Sequence, residues 1–199
     1  MGFSTLLDII GSMIIGGILL SIAWRLSDTA TEKTYNNSGD LSLQQNLATI
    51  AQMLEYDFRK IGYSADWNKL PDPTKAILYA DSSSIKFLTD IDSDGNLDSI
   101  RYFLGPTSEL TETENPRDRM LYRVLNDEVP GGSNLGVTEF RMIYYDALGD
   151  TIPLPIVNTG EISSIEINVT VENTAAYDTL YSTAYWRQIR LIARNLRNR

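Results

Sequence analysis

The chain has 199 residues, a net charge of −9, and neither cysteine nor histidine. Those two absences exclude disulfides, Ser–His and Cys–His nucleophile pairs, and zinc sites built on nitrogen and sulfur ligands. The negative charge argues against nucleic acid as a partner, and the length suits one domain plus an anchor.

Phe3 to Trp24 is an apolar run of 22 residues with a single charge, Asp8. As a helix it would be about 33 Å long, close to the hydrocarbon thickness of a bilayer, about 30 Å. Trp24 and Arg25 close it, as an interfacial aromatic and a snorkelling cation do. A secretory signal peptide would open on basic residues, and no Lys or Arg precedes this run. A carboxylate in such a helix either faces a partner or sits at the headgroups near the end of the span. Gly11, Gly16 and Gly17 either admit a neighbouring backbone or let the helix bend. Residues 1–27 are therefore expected to form a transmembrane anchor helix.

Residues 28–41 are polar and read as a linker or as a continuation of the helix. Asn36-Asn37-Ser38-Gly39-Asp40 is a strong breaker signal, so the helix is expected to loosen or turn near Asn37. Leu47, Ile50, Ala51, Leu54, Phe58 and Ile61 then recur at helical spacing, with Gly62 where a C-terminal cap belongs. This stripe reads as core, and its natural partner is the face of a sheet. From Ala76 the period changes to two. Candidate strands are Ile77–Ala80, Ile85–Thr89, Ser99–Leu104, Met120–Leu125, Val137–Tyr145, Ile162–Glu172 and Tyr181–Ala193. In the sixth, Ile165, Ile167, Val169 and Val171 alternate with Glu166, Asn168, Thr170 and Glu172, the mark of a half-buried antiparallel strand. Tyr185 to Arg197 also fits a basic amphipathic helix. From Tyr185 onward the chain carries five arginines and no acid, so an acidic body ends in a basic strip. The fold class expected is α+β: a long N-terminal helix, transmembrane in its first part, packed on an antiparallel β-sheet. Residues 42–199 would form the head domain.

Asp90-Ile91-Asp92-Ser93-Asp94-Gly95-Asn96-Leu97-Asp98 has the D-x-D-x-D-G opening of a calcium loop. Alternate carboxylates in a tight turn converge on one point, and glycine permits the bend. Asp90, Asp92, Asp94 and Asp98, with the Asn96 carbonyl, are the metal ligands this pattern suggests, and calcium the cofactor. The bidentate Glu of an EF-hand would fall at Arg101, so the loop is not an EF-hand. The alternative is an Asp/Asn/Gly hairpin turn that binds nothing.

Gly2-Phe3-Ser4-Thr5-Leu6-Leu7-Asp8 followed by the apolar run resembles the N-terminus of type IV pilins and type II secretion pseudopilins. The family's acid is Glu one place earlier, where this chain has Leu7. Two further stretches add to the likeness. Asp57-Phe58-Arg59-Lys60-Ile61-Gly62-Tyr63 resembles the helix end of minor pilins and J-type pseudopilins, and Trp186 to Asn195 resembles their last strand. The resemblance implies a pilin-like fold and cleavage after Gly2, with Phe3 as a methylated N-terminus. It also implies that Asp8 meets a neighbouring subunit's N-terminal amine during assembly. The function it implies is that of a structural, non-enzymatic subunit of a pilus-like or pseudopilus filament. Its partners would be other pilin-like subunits, met through residues 3–24, and the inner membrane before assembly. Localisation would be single-pass membrane first, then extracellular filament or periplasmic pseudopilus. The alternative reading is a signal-anchored extracytoplasmic calcium-binding or adhesion module that does not polymerise.

Overall fold

The computed structural model describes the backbone of residues 2–174 and 182–191, and side chains of 5–174 and 182–187. One helix, α1 (Gly2–Arg59), is followed by seven strands: β1 (Ile77–Ala80), β2 (Ser84–Thr89), β3 (Asp98–Leu104), β4 (Arg119–Leu125), β5 (Gly131–Tyr145), β6 (Ser164–Glu172) and β7 (Thr183–Leu191). The strands form one sheet in sequence order, each antiparallel to the next. The layout is α+β, with the helix before the sheet in sequence and packed on it in space.

α1 spans 58 residues without interruption, about 87 Å at 1.5 Å per residue. The turn expected near Asn37 is absent: residues 36–40 are helical. Helix already exists on both sides of this segment, so it extends a helix rather than nucleating one, and weak propensity is overridden. Gly39 has a packing reason to be there, since a Cβ would lie 2.2 Å from the Asn173 amide nitrogen. Ser12, Thr31, Thr34 and Thr49 turn their hydroxyls onto the carbonyls four residues back, so each is satisfied within the helix itself.

The helix divides by surroundings. No residue from Thr5 to Ser42 is buried. Leu43, Leu47, Ile50, Leu54 and Phe58, by contrast, are buried as one stripe, with Ile61 just beyond the helix end. Leu43 extends the expected stripe by one turn, while Ala51 lies at its edge, half-buried. The stripe meets Ile85, Phe87, Ile100, Tyr102, Phe140, Met142, Ile167 and Val169 in a single core. Phe58 sits at its centre, edge-on to Phe87 at 5.4 Å and tilted against Tyr102 at 5.6 Å. Gly62, at φ +73°, turns the chain after the helix and donates its amide to Leu88 on β2 at 2.9 Å.

One expectation about the sheet needs correcting. β6 is not half-buried, because its polar face is covered as well: Glu166 and Asn168 are both buried. Glu166 accepts from Tyr145 at 2.8 Å, Asn168 at 3.2 Å and Arg187 at 2.9 Å, and Tyr185 donates to Asn168. At the chain end the expected strand is present in place of the helical alternative: Thr183–Leu191 is paired along β6. Arg187 in that strip is therefore an internal counter-charge for Glu166, 2.7 Å away. Arg194, Arg197 and Arg199 lie outside the described residues.

Truncating Phe58 to Ala is expected to cost about 3–5 kcal/mol, measured by denaturant unfolding. A chain beginning at Ser42 retains the whole buried stripe and is expected to melt cooperatively as a soluble monomer.

Candidate functional site

Two regions carry the residues singled out above: the bare part of α1, and the β2–β3 loop. In the first, residues of α1 from Thr5 onward are long and apolar enough to cross a membrane. Asp8 is exposed there, and among the described residues it forms no ion pair. Nothing lies within 4 Å of a Cβ built on Gly11, Gly16 or Gly17. Gly2 and Phe3 fall in the first turn of α1, their side chains outside the described residues.

The β2–β3 loop is tightly organised against the segment that follows α1. Ser93 and Gly95 take positive φ, +63° and +84°, and Gly95 is buried. Asp90 is wholly buried, and its Oδ2 accepts from the Ala65 and Gly95 amides, both at 3.0 Å. The Ala65 amide does most to hold the Asp90 carboxyl below its ordinary range. Burial opposes it, and the Gly95, Ser93 and Asp94 amides assist. Asp90 Oδ1 is buried and has no hydrogen-bond partner.

Of the suggested ligands, the structure brings together Asp90, Asp92 and Asp98, with one carboxylate oxygen from each within 4.8 Å of the others. Asp94 is turned to a different task. It accepts the Asn96 backbone amide and side-chain amide, both at 2.6 Å, and these bonds lower its pKa. The Asn96 side-chain oxygen in turn accepts from Lys69 at 2.6 Å. Arg101, at the twelfth loop position, lies over the Phe103 ring.

Two buried carboxylates gave little or no warning in the sequence. Asp57 lies near the end of α1 and is buried. It binds Arg123 of β4 at 2.6 Å and accepts from Tyr102 of β3. Burial first, then the Asp57 charge, pushes the Tyr102 hydroxyl pKa up; the bond to Asp57 raises that of Arg123. Only its helical phase, one residue before Phe58, pointed inward. Asp118 carried no signal at all, since Asn115-Pro116-Arg117-Asp118 reads as a solvated turn. It is nonetheless 1% exposed, and neither carboxylate oxygen has a hydrogen-bond partner. The nearby Thr113 hydroxyl donates to the Leu110 carbonyl at 2.9 Å instead. Burial, reinforced by the Glu172 charge and partly offset by Thr113, pushes the Asp118 carboxyl up to about 6.

No protein-family model, curated protein or solved structure matches the chain.

A carboxyl whose folded pKa is raised binds its proton more tightly in the folded state. Its contribution to stability therefore falls as pH rises from the unfolded value of 3.8 to the folded value of about 6, and stays low above that. Asp118→Asn is expected to raise stability at neutral pH and to remove that downward contribution, as read by urea unfolding from pH 4 to 7.

Proposed function

We propose that the chain is a structural, non-enzymatic subunit of a type IV pilus-like or pseudopilus filament, anchored and assembled through the bare part of α1. One observation carries this reading. A single unbroken helix presents a wholly exposed apolar surface in its first part and a buried core stripe in its second. Such a helix cannot end in water. Roughly two dozen apolar residues need lipid or other helices around them. The helix continues into the head without a break, so whatever holds the first part also sets the position of the head.

A plain membrane tether would satisfy the apolar surface equally well. The residues inside the run favour assembly over tethering. Asp8 is costly in lipid and favourable only beside a cation, and none of the described residues supplies one. Gly11, Gly16 and Gly17 have open space where a second backbone can approach closely. The same span serves first as an inner-membrane anchor and then as the packing core of a filament, with the sheet domain outside. The pilin-like resemblance of the N-terminus and of the Asp57–Tyr63 phrase points the same way.

Asp8→Asn is expected to leave the head folded and the protein in the membrane. Incorporation into filaments sheared from cells should fall by about tenfold or more, since leaving one member of a buried charge pair alone costs several kcal/mol. Normal incorporation of the variant removes the assembly role of Asp8. If the unaltered chain is found in membranes and never in filaments, it is a tether instead.

A further inference from the structure

The β2–β3 loop holds a feature that filament assembly does not use. Asp90 is completely buried, yet one of its two carboxylate oxygens has no hydrogen-bond partner. A buried acceptor oxygen left without a partner is costly. The cost is compounded because carboxylate oxygens of Asp90, Asp92 and Asp98 converge within 4.8 Å. Among the described residues, no lysine or arginine forms an ion pair with any of the three. The two lysines at hand are used otherwise. Lys60 donates to the Ile91 carbonyl at 2.9 Å and lies over the Tyr56 ring; Lys69 donates to Asn96. Three carboxylates thus meet, one of them with an unpaired buried oxygen, and among the described residues no lysine or arginine forms an ion pair with them.

We propose that Asp90, Asp92 and Asp98 hold a calcium ion that pins the β2–β3 hairpin to the segment following the long helix. The donors are all hard carboxylate oxygens on a loop, which suits calcium's large and flexible oxygen shell, with water completing it. Magnesium requires near-ideal octahedral geometry and gives up its waters reluctantly, so three side chains on a turn suit it poorly. The division of labour in the loop is specific. Asp90 Oδ2 is committed to the Ala65 and Gly95 amides, which leaves Oδ1 for the ion. Asp98 is steadied by the Ile91 amide at 3.2 Å and the Asn126 side chain at 2.7 Å. Asp94 organises Asn96 and stands outside the ligand set.

The ion's mechanical effect comes from the groups that Asp90 touches. Its amide donates to the Tyr63 carbonyl at 2.8 Å, and its carboxylate accepts from Ala65. Fixing Asp90 therefore fixes the stretch through which the chain leaves α1 and enters the sheet. An ion here stiffens the joint between the helix and the head.

The full-length chain, purified in detergent, is titrated with terbium alone, then with calcium or magnesium as competitor. Tyr63 is placed to sensitise terbium emission, its hydroxyl 3.5 Å from the Ser93 hydroxyl in the loop. The proposal expects one terbium per chain, displaced by millimolar calcium and poorly by magnesium. The melting temperature should rise by roughly 5–10 °C at a hundredfold calcium excess over Kd, relative to chelator. Asp92→Asn, at an exposed position, should fold normally and bind about tenfold or more weakly. Asp94→Asn should bind within about threefold of the unaltered chain. Coincident melting curves in calcium and chelator, with no sensitised emission, overturn the site. An undiminished response in Asp92→Asn places the ion elsewhere on the acidic surface and overturns it too. Equal losses in both variants refute the three-aspartate ligand set, and equal competition by magnesium refutes the choice of calcium.

Discussion

Everything in this molecule depends on the stripe from Leu43 to Ile61 being buried by the molecule's own sheet. That packing converts a long helix from a flexible tether into a fixed shaft. Each large apolar side chain of the stripe is worth about 1.5–3 kcal/mol when fully buried, enough to make helix and sheet one folding unit. The stripe stops at Leu43, and from there toward the N-terminus no described residue of the helix is buried by the chain. One continuous backbone thus passes from a surface buried internally to an exposed one that is long and apolar enough to cross a membrane. The polar stretch between them is held helical by its two neighbours, and its position is set by the stripe.

The end of the shaft is fixed by polar chemistry as well as by packing. Asp57 ties the last turn of α1 to β3 and β4 through Tyr102 and Arg123, beside Phe58 at the centre of the core. A buried ion pair of this kind adds little net stability over an apolar replacement, but breaking it by removing one partner is costly. Glu166 plays a similar part on the far face of β6, where Tyr145, Asn168 and Arg187 converge on it. Both clusters answer the question of how acidic residues sit inside this head: each has donors arranged around it. Asp118 and Asp90 Oδ1 are the places where that arrangement is incomplete.

The strands were legible because short apolar or alternating runs bounded by turn residues report on a sheet. β1 falls where its short apolar run places it, and β2 to β4 differ only at their first residues. The helical stripe was legible from its period of about 3.6 residues. What could not be read locally was anything decided by distant partners. Asn36 to Asp40 carry breaker chemistry, but they are helical between the helix on each side. Glu166 and Asn168 alternate as solvent-facing residues should, and only the arrival of Tyr145, Tyr185 and Arg187 buries them. In the acidic loop, spacing marked the run of aspartates but not how their side chains are turned. The turn at Ser93 to Gly95 directs Asp94 to Asn96 and leaves Asp90, Asp92 and Asp98 together.

The central claim is that the apolar span of α1 lies among lipids and then among its own kind, with the sheet domain outside. The chain has no cysteine, so single cysteines placed along residues 5–27 report on this without background. Oxidative cross-linking in native membranes and in isolated filaments is the direct measurement. The account predicts cross-linked copies from one face of the span, recurring at the helical period of about 3.6 residues. It also predicts protection of those cysteines from a membrane-impermeant maleimide, while a cysteine at exposed Leu148 in the head is labelled. Free labelling throughout residues 5–27, with no cross-linked copies in either preparation, would contradict it.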